Sequence, residues 1–151
     1  MRTLVSLLCL FSFLLAGCDS MPDTVRERFS PVPPKVKTFA GDVRTVFAAA
    51  KVAFKRLDFV VTDASAAHSR LEAASQILTS TGLGDSRQTV MNLSLHEDGA
   101  GQTVVEALIS VQIENTSGGV RSAEKKREHG FYDNFFATLE QVLQEQAKSP
   151  R

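Results

Sequence analysis

Apolar residues recur at Val43, Val46, Phe47, Ala50, Phe54 and Leu57, spaced so that they fall on one stripe of a helix over residues 43–57. Gly41 breaks the chain ahead of this stripe, and Asp42 is placed to cap the first turn. Arg44, Lys51 and Lys55 fall away from the stripe. A second stripe comprises Phe131, Phe135, Leu139, Val142 and Gln146, widened by Phe136 and Leu143. It predicts a closing helix from about Gly130 to Ala147.

Between the two stripes the period changes to two. Phe59 and Val61 alternate with Asp58, Val60 and Thr62, and Leu71, Ala73 and Ser75 alternate with Arg70 and Glu72. Met91, Leu93 and Leu95 alternate with Asn92, Ser94 and His96. The longest run sets Val105, Ala107, Ile109, Val111 and Ile113 against Glu106, Ser110, Gln112 and Glu114. Asp98-Gly99-Ala100-Gly101 joins the last two runs as a tight connection. One-sided alternation means a sheet packed on one face and wet on the other. The expected fold class is therefore α+β: a four-stranded antiparallel meander with two helices packed on one face, in the order helix, four strands, helix. It forms a single domain over residues 41–148.

Two connections stand out. Gln76 to Gly84 carries Ile77, Leu78 and Leu83 in polar surroundings. These side chains either fold back over the sheet end or form an exposed interaction loop. Asn115 to His129 is polar and long for a connection. Its Arg121, Lys125, Lys126 and Arg127 form a candidate basic loop for anionic headgroups or a polyanionic envelope polymer, offset by Glu124 and Glu128.

Composition narrows the function. The 151 residues are 43% hydrophobic and 23% charged, as in a globular domain. Lys+Arg and Asp+Glu both number 17, and there is no Trp and one Tyr, so neither a basic surface nor aromatic platforms invite nucleic acid. The only cysteines are Cys9 and Cys18.

The N-terminal pattern is of another kind. Met1-Arg2-Thr3 supplies a positive start, and Leu4 to Leu15 is apolar apart from Ser6 and Ser12. The run suits a signal peptide and is short of the roughly 20 apolar residues that span a bilayer. Leu15-Ala16-Gly17-Cys18 resembles the lipobox of bacterial lipoproteins. The resemblance implies a lipoprotein signal peptide over 1–17, removed before Cys18. It also implies diacylglyceryl and N-acyl groups (palmitate or similar) on Cys18, and no other cofactor. Each buried methylene of such chains contributes about 0.8 kcal/mol, so several chains hold durably. The partner is then a membrane, reached through the lipid anchor. The location is the periplasmic side of the cell membrane or the outer membrane; Asp19 resembles an inner-membrane retention signal. With Cys9 removed and Cys18 acylated, the mature domain holds no free thiol and no disulfide. Residues 18–40, with Pro22, Pro31, Pro33 and Pro34, read as lipidated cysteine and linker. In the other reading, Phe29, Val32 and Val36 pack on the domain as a first strand or arm.

On this lipobox and linker, the pattern from the helix at Val43–Leu57 to the one at Phe131–Leu143 resembles small uncharacterised bacterial lipoproteins. More distantly it resembles the helix-grip domains of outer-membrane assembly lipoproteins of the BamC type. The implied role is binding or assembly in the cell envelope, with a possible envelope protein as partner. Enzymatic motifs are incomplete. Gly84-Asp85-Ser86 has the start of a GDS hydrolase motif, but His129 lacks the Asp that orients such a base. Gly82-Leu83-Gly84 lies between strands, where no phosphate cradle forms. His68, His96 and His129 are far apart. No catalytic or metal-binding residue is assigned, and the expectation is a non-enzymatic module. The alternative is a carrier or sensor of a small apolar ligand held between helices and sheet.

Overall fold

A computed structural model describes residues 31–79, 85–115 and 121–148. Cys18 and Leu83 lie outside them. Among the described residues, the first helix, α1, runs Val43–Arg56, and the second, α2, runs Gly130–Lys148. Asp42 caps α1: its carboxylate accepts the Thr45 backbone N–H at 2.9 Å and the Thr45 hydroxyl at 2.9 Å. The other end closes with a Schellman arrangement. The Phe59 N–H donates to the Phe54 carbonyl at 2.9 Å and the Asp58 N–H to that of Lys55 at 3.3 Å. Asp58 supplies the left-handed residue such an ending needs, at φ 59°. The Phe54 and Phe59 rings meet across the motif at 6.0 Å.

The sheet corrects the expected four-stranded meander. The described residues form seven strands: β1 Lys35–Ala40, β2 Val60–Ser65, β3 Arg70–Ala74, β4 Leu78–Thr79, β5 Asp85–Glu97, β6 Gln102–Asn115 and β7 Arg121–Lys126. The main path is β1-β6-β5-β3-β2, with every pairing antiparallel. The α+β class and the two helices stand; the strand count and topology do not. β1 lies within the stretch read as linker, and β7 within the stretch read as a basic loop. The reason is the length of β6. One of its edges is taken by β5 from Thr103 to Asn115. The other edge is shared end to end: β1 pairs it from Gln102 to Ala107 and β7 from Ile109 to Glu114. Unpaired backbone along such a strand seeks hydrogen bonds whatever the side chains beside it. The outer edge of β5 is divided in the same way between β3, at Val90–Ser94, and β4, at Ser86–Arg87.

Both helices contribute to one core with the sheet. Phe54, Phe135, Leu139, Val46, Leu71, Met91, Val105 and Ile109 are each at most 1% exposed. On α1, Ala49, Ala50 and Ala53 are fully buried; such small residues let helix and neighbour approach closely. The space so left is filled by stacked Phe54 and Phe135, 4.8 Å between ring centres. Burial of each such side chain contributes roughly 1.5–3 kcal/mol. Around the rim, Lys37–Glu140 and Arg56–Glu145 tie β1 and α1 to α2, and Lys35–Glu128 ties β1 to the turn that precedes α2, at 2.5–2.9 Å. All of these groups are substantially exposed, so each pair adds at most about 1 kcal/mol.

Candidate binding edge at the open end of the sheet

The helices do not cover the whole sheet. On β5 the core cluster takes Met91, Leu93 and Leu95, and on β6 Val105, Ala107 and Ile109. The first residues of β5 and the last of β6 run on beyond it as a two-stranded ribbon, flanked by β4 and β7. Side chains directly opposite one another in a ladder share a face. Leu78 of β4 lies opposite Arg87 of β5, which lies opposite Ile113 of β6, which lies opposite Ser122 of β7. This transverse row mixes aliphatic, cationic and hydroxyl groups. A groove of about 420 Å³ runs past it, and Ile77, Arg87 and Ile113 are among its walls.

The aliphatic groups here are unusually bare. Ile77 is 62% and Leu78 72% exposed. Both candidate interaction residues therefore project to solvent rather than fold back over the sheet end. Val60, on β2, is 67% exposed. It lies opposite Ala74, just before the chain leaves β3 for β4. The Arg87 guanidinium is exposed and has no ion pair or hydrogen bond among the described residues. Sequence reasoning passed over Arg87 and Ile113, because only the register brings them beside Leu78.

Of the candidate basic residues, Lys125 and Lys126 do not share a face. Arg121, Lys125 and Lys126 belong to β7, and Arg127 follows it, exposed. Lys126 lies opposite Ile109 and Lys125 opposite Ser110, so the strand pleat sends them to opposite faces. Lys126 is paired with Glu124 at 2.6 Å, and Glu128 is paired with Lys35 at 2.7 Å. The positive charge of the run is thus divided by geometry and partly neutralised.

The hydrolase-like and histidine residues sit apart. Ser86 lies in β5, its hydroxyl donating to the Glu114 carbonyl at 3.4 Å. His129 stacks on Phe131 at 5.2 Å and its Nδ1 accepts the Phe131 N–H at 3.3 Å. His68 is hydrogen-bonded to Ser65 in the β2–β3 turn, at 2.9 Å. Among the described residues, no three His, Cys, Asp or Glu converge to hold a metal ion. No helix among them is long and apolar enough to cross a membrane.

No family model matches the chain, and no curated protein does. Solved structures resemble it weakly. A TBP-like protein from Parabacteroides distasonis is 12% identical, with a TM-score of 0.40 over 73% of this chain and 91% of that one. The adenylate sensor from AMP-activated protein kinase, solved with the ribofuranotide ZMP, is 15% identical, with a TM-score of 0.40 over 71% and 93%. A DUF4468 family protein from Bacteroides ovatus is 11% identical, with a TM-score of 0.33 over 85% and 92%. At this level of similarity they bear on neither ligand nor partner.

Proposed function

We propose that this protein is an envelope lipoprotein, held on a membrane through acyl groups on Cys18, whose domain is a non-enzymatic binding or assembly module. The tether rests on Leu15-Ala16-Gly17-Cys18 after an apolar run of signal-peptide length. The binding role rests on one observation. Ile77 and Leu78 are 62% and 72% exposed at a sheet end, in a domain that buries its other leucines, isoleucines and phenylalanines wholly or in part wherever they are described. Bare aliphatic groups gathered beside a groove mark an interaction surface more often than singly scattered ones do. Carriage of an apolar ligand between the layers has less support, because Phe54, Phe135 and Leu139 fill that space.

Two measurements test this reading. Metabolic labelling with a fatty acid should mark the wild type, and a Cys18→Ser variant that still takes up label refutes the anchor. A photo-crosslinking residue at position 78 in intact cells should give a discrete adduct that the same residue at exposed Val52 on α1 does not. Matching smears from both positions would refute a specific partner.

A further inference from the structure

The chain carries as many acids as bases, but α1 does not share that balance. It contains Arg44, Lys51, Lys55 and Arg56 and no Asp or Glu. Arg56 is taken by Glu145 of α2. The other three are spaced i, i+7 and i+11, within about 40° of one another around the helix and along about 16 Å of its length. Val46, Ala50 and Ala53 occupy the opposite side and are fully buried. Arg44, Lys51 and Lys55 therefore point away from the core, and all three are exposed, as is Ala48 among them. None of the three side chains has an ion pair or hydrogen bond among the described residues. The acids at the two ends of α1 do not offset them: Asp42 accepts from Thr45, and Asp58 beyond the helix has no ion pair among the described residues. A groove of about 420 Å³ adjoins this face, walled by Val43, Arg44, Phe47, Ala66 and Ser69. Val43 and Phe47 are only partly buried there.

We propose that the outward face of α1 lies against an anionic phospholipid surface, with a headgroup phosphate at Arg44. This rests on the anchor reading above and adds an orientation to it. The chain from Cys18 to Lys35 spans at most about 60 Å, more than a domain of this size is wide, so the tether leaves the choice of face to charge. A Lys or Arg at an anionic surface strengthens binding about fivefold, and three together about a hundredfold. That is modest for a free protein but enough once a tether has made the contact intramolecular. The groove favours a lipid over another polyanion. It sets a guanidinium, which grips phosphate through paired hydrogen bonds, beside the apolar walls Val43 and Phe47. A phospholipid likewise sets a phosphate beside methylenes, whereas a polysaccharide or an acidic peptide supplies the charge without the chain.

The acylated full-length protein in nanodiscs tests the proposal. With Cys18 acylated, a cysteine introduced by Ala48→Cys or Asn92→Cys is the sole thiol for a fluorophore; Asn92 is exposed on the sheet face away from the helices. In discs containing phosphatidylglycerol, nitroxide-labelled headgroups should quench position 48 at least about fivefold more than position 92. In phosphatidylcholine discs the two positions should be alike, and high salt should abolish the difference. Arg44→Gln, Lys51→Gln and Lys55→Gln combined should abolish it too, with circular dichroism and Tm unchanged, whereas Lys51→Arg with Lys55→Arg should keep it. Equal quenching at 48 and 92 in the anionic discs, or a difference that survives the triple Gln variant, overturns the proposal. So does a photo-crosslinker at position 48 that gives a discrete protein adduct in cells, which assigns the face to an acidic protein. Fatty-acid labelling of the same preparation separates the two readings: an unlabelled chain refutes the anchor and the orientation together, while a labelled chain with position 48 unquenched refutes the orientation alone.

Discussion

The phenolic oxygen of Tyr132 accepts the backbone N–H of Ile109 at 2.8 Å. Its own hydrogen goes to the Lys126 carbonyl at 2.8 Å. Ile109 and Lys126 face each other across β6 and β7, so the hydroxyl is inserted into the ladder where β6 passes from β1 to β7. Ile109 and Tyr132 are 0% and 3% exposed. Tyr132→Phe leaves a buried donor without a partner, which costs about 1–3 kcal/mol. Denaturant titration should show a lower midpoint with an unchanged slope; an unchanged midpoint would mean that the ladder closes without the hydroxyl.

Thr103 is the one buried polar residue among those described, and its hydroxyl donates to the Gly41 carbonyl at 2.8 Å. Gly41 sits at φ 119°, where side-chain-bearing residues rarely go. Thr103→Val keeps the shape and removes the donor, for an expected loss of about 1–2 kcal/mol. The double variant with Gly41→Ala should lose less than the sum of the singles, since both loosen the same turn.

Ala50 on α1 is fully buried in the core. Ala50→Leu, although a good helix former, should destabilise by about 1–3 kcal/mol through overpacking. Calorimetry decides this, and an equal or higher Tm would show that the layers can separate to admit the larger side chain.

Asp58 holds a left-handed φ of 59° at the carboxyl end of α1. Glycine has no Cβ to strain there, and its introduction removes a negative charge from the negative end of the helix. Against this stands the greater freedom of glycine in the unfolded chain. Asp58→Gly should therefore be neutral to stabilising, by up to about 1 kcal/mol, whereas Asp58→Val should destabilise clearly. Parallel thermal melts separate the two.

Acid should act through one helix cap and one ion pair. The Thr45 backbone N–H, with the Thr45 hydroxyl, holds the Asp42 carboxyl below its usual 3.8. Hydrogen bonds from Arg56 hold Glu145 below its usual 4.5. Groups with lowered folded-state values contribute stability above their unfolded values and lose it as pH falls through the lowered ones. The stability gaps between wild type and Asp42→Ala, and between wild type and Glu145→Gln, should hold steady near neutral pH. Each should close in acid: the second as pH drops below 4.5, the first below 3.8. Both groups are exposed, so the gaps are small and shrink in salt.

The sequence exposed the parts of this fold whose side chains do the packing. The stripes that carry Val46 and Phe54 on α1, and Phe135 and Leu139 on α2, are periodic and end in the core. Met91, Leu93 and Leu95, and Val105, Ala107 and Ile109, are equally plain. What escaped was held by backbone pairing. β1 puts Lys35, Lys37 and Phe39 on its inner face, so only one of three inward positions is apolar, and its partner strand lies more than 60 residues on. β7 has Ala123 as its only apolar residue and exists because β6 offers an edge. β4 has only two residues, too few for a period. At the candidate site, Ile77 and Leu78 were visible as aliphatics out of place. Arg87 was not, since its solitude depends on which residues the register sets around it.

The placing of β1 has a mechanical consequence. β1 enters the sheet at Lys35, beside the point where β7 ends at Lys126. A pull on the chain ahead of Lys35, directed along the strand, acts at right angles to its hydrogen bonds with β6. The load is shared by the whole Lys35–Ala40 ladder instead of opening it one bond at a time, and the Lys37–Glu140 pair passes part of it to α2. The edge of the sheet where β1 enters is thus arranged to resist shear.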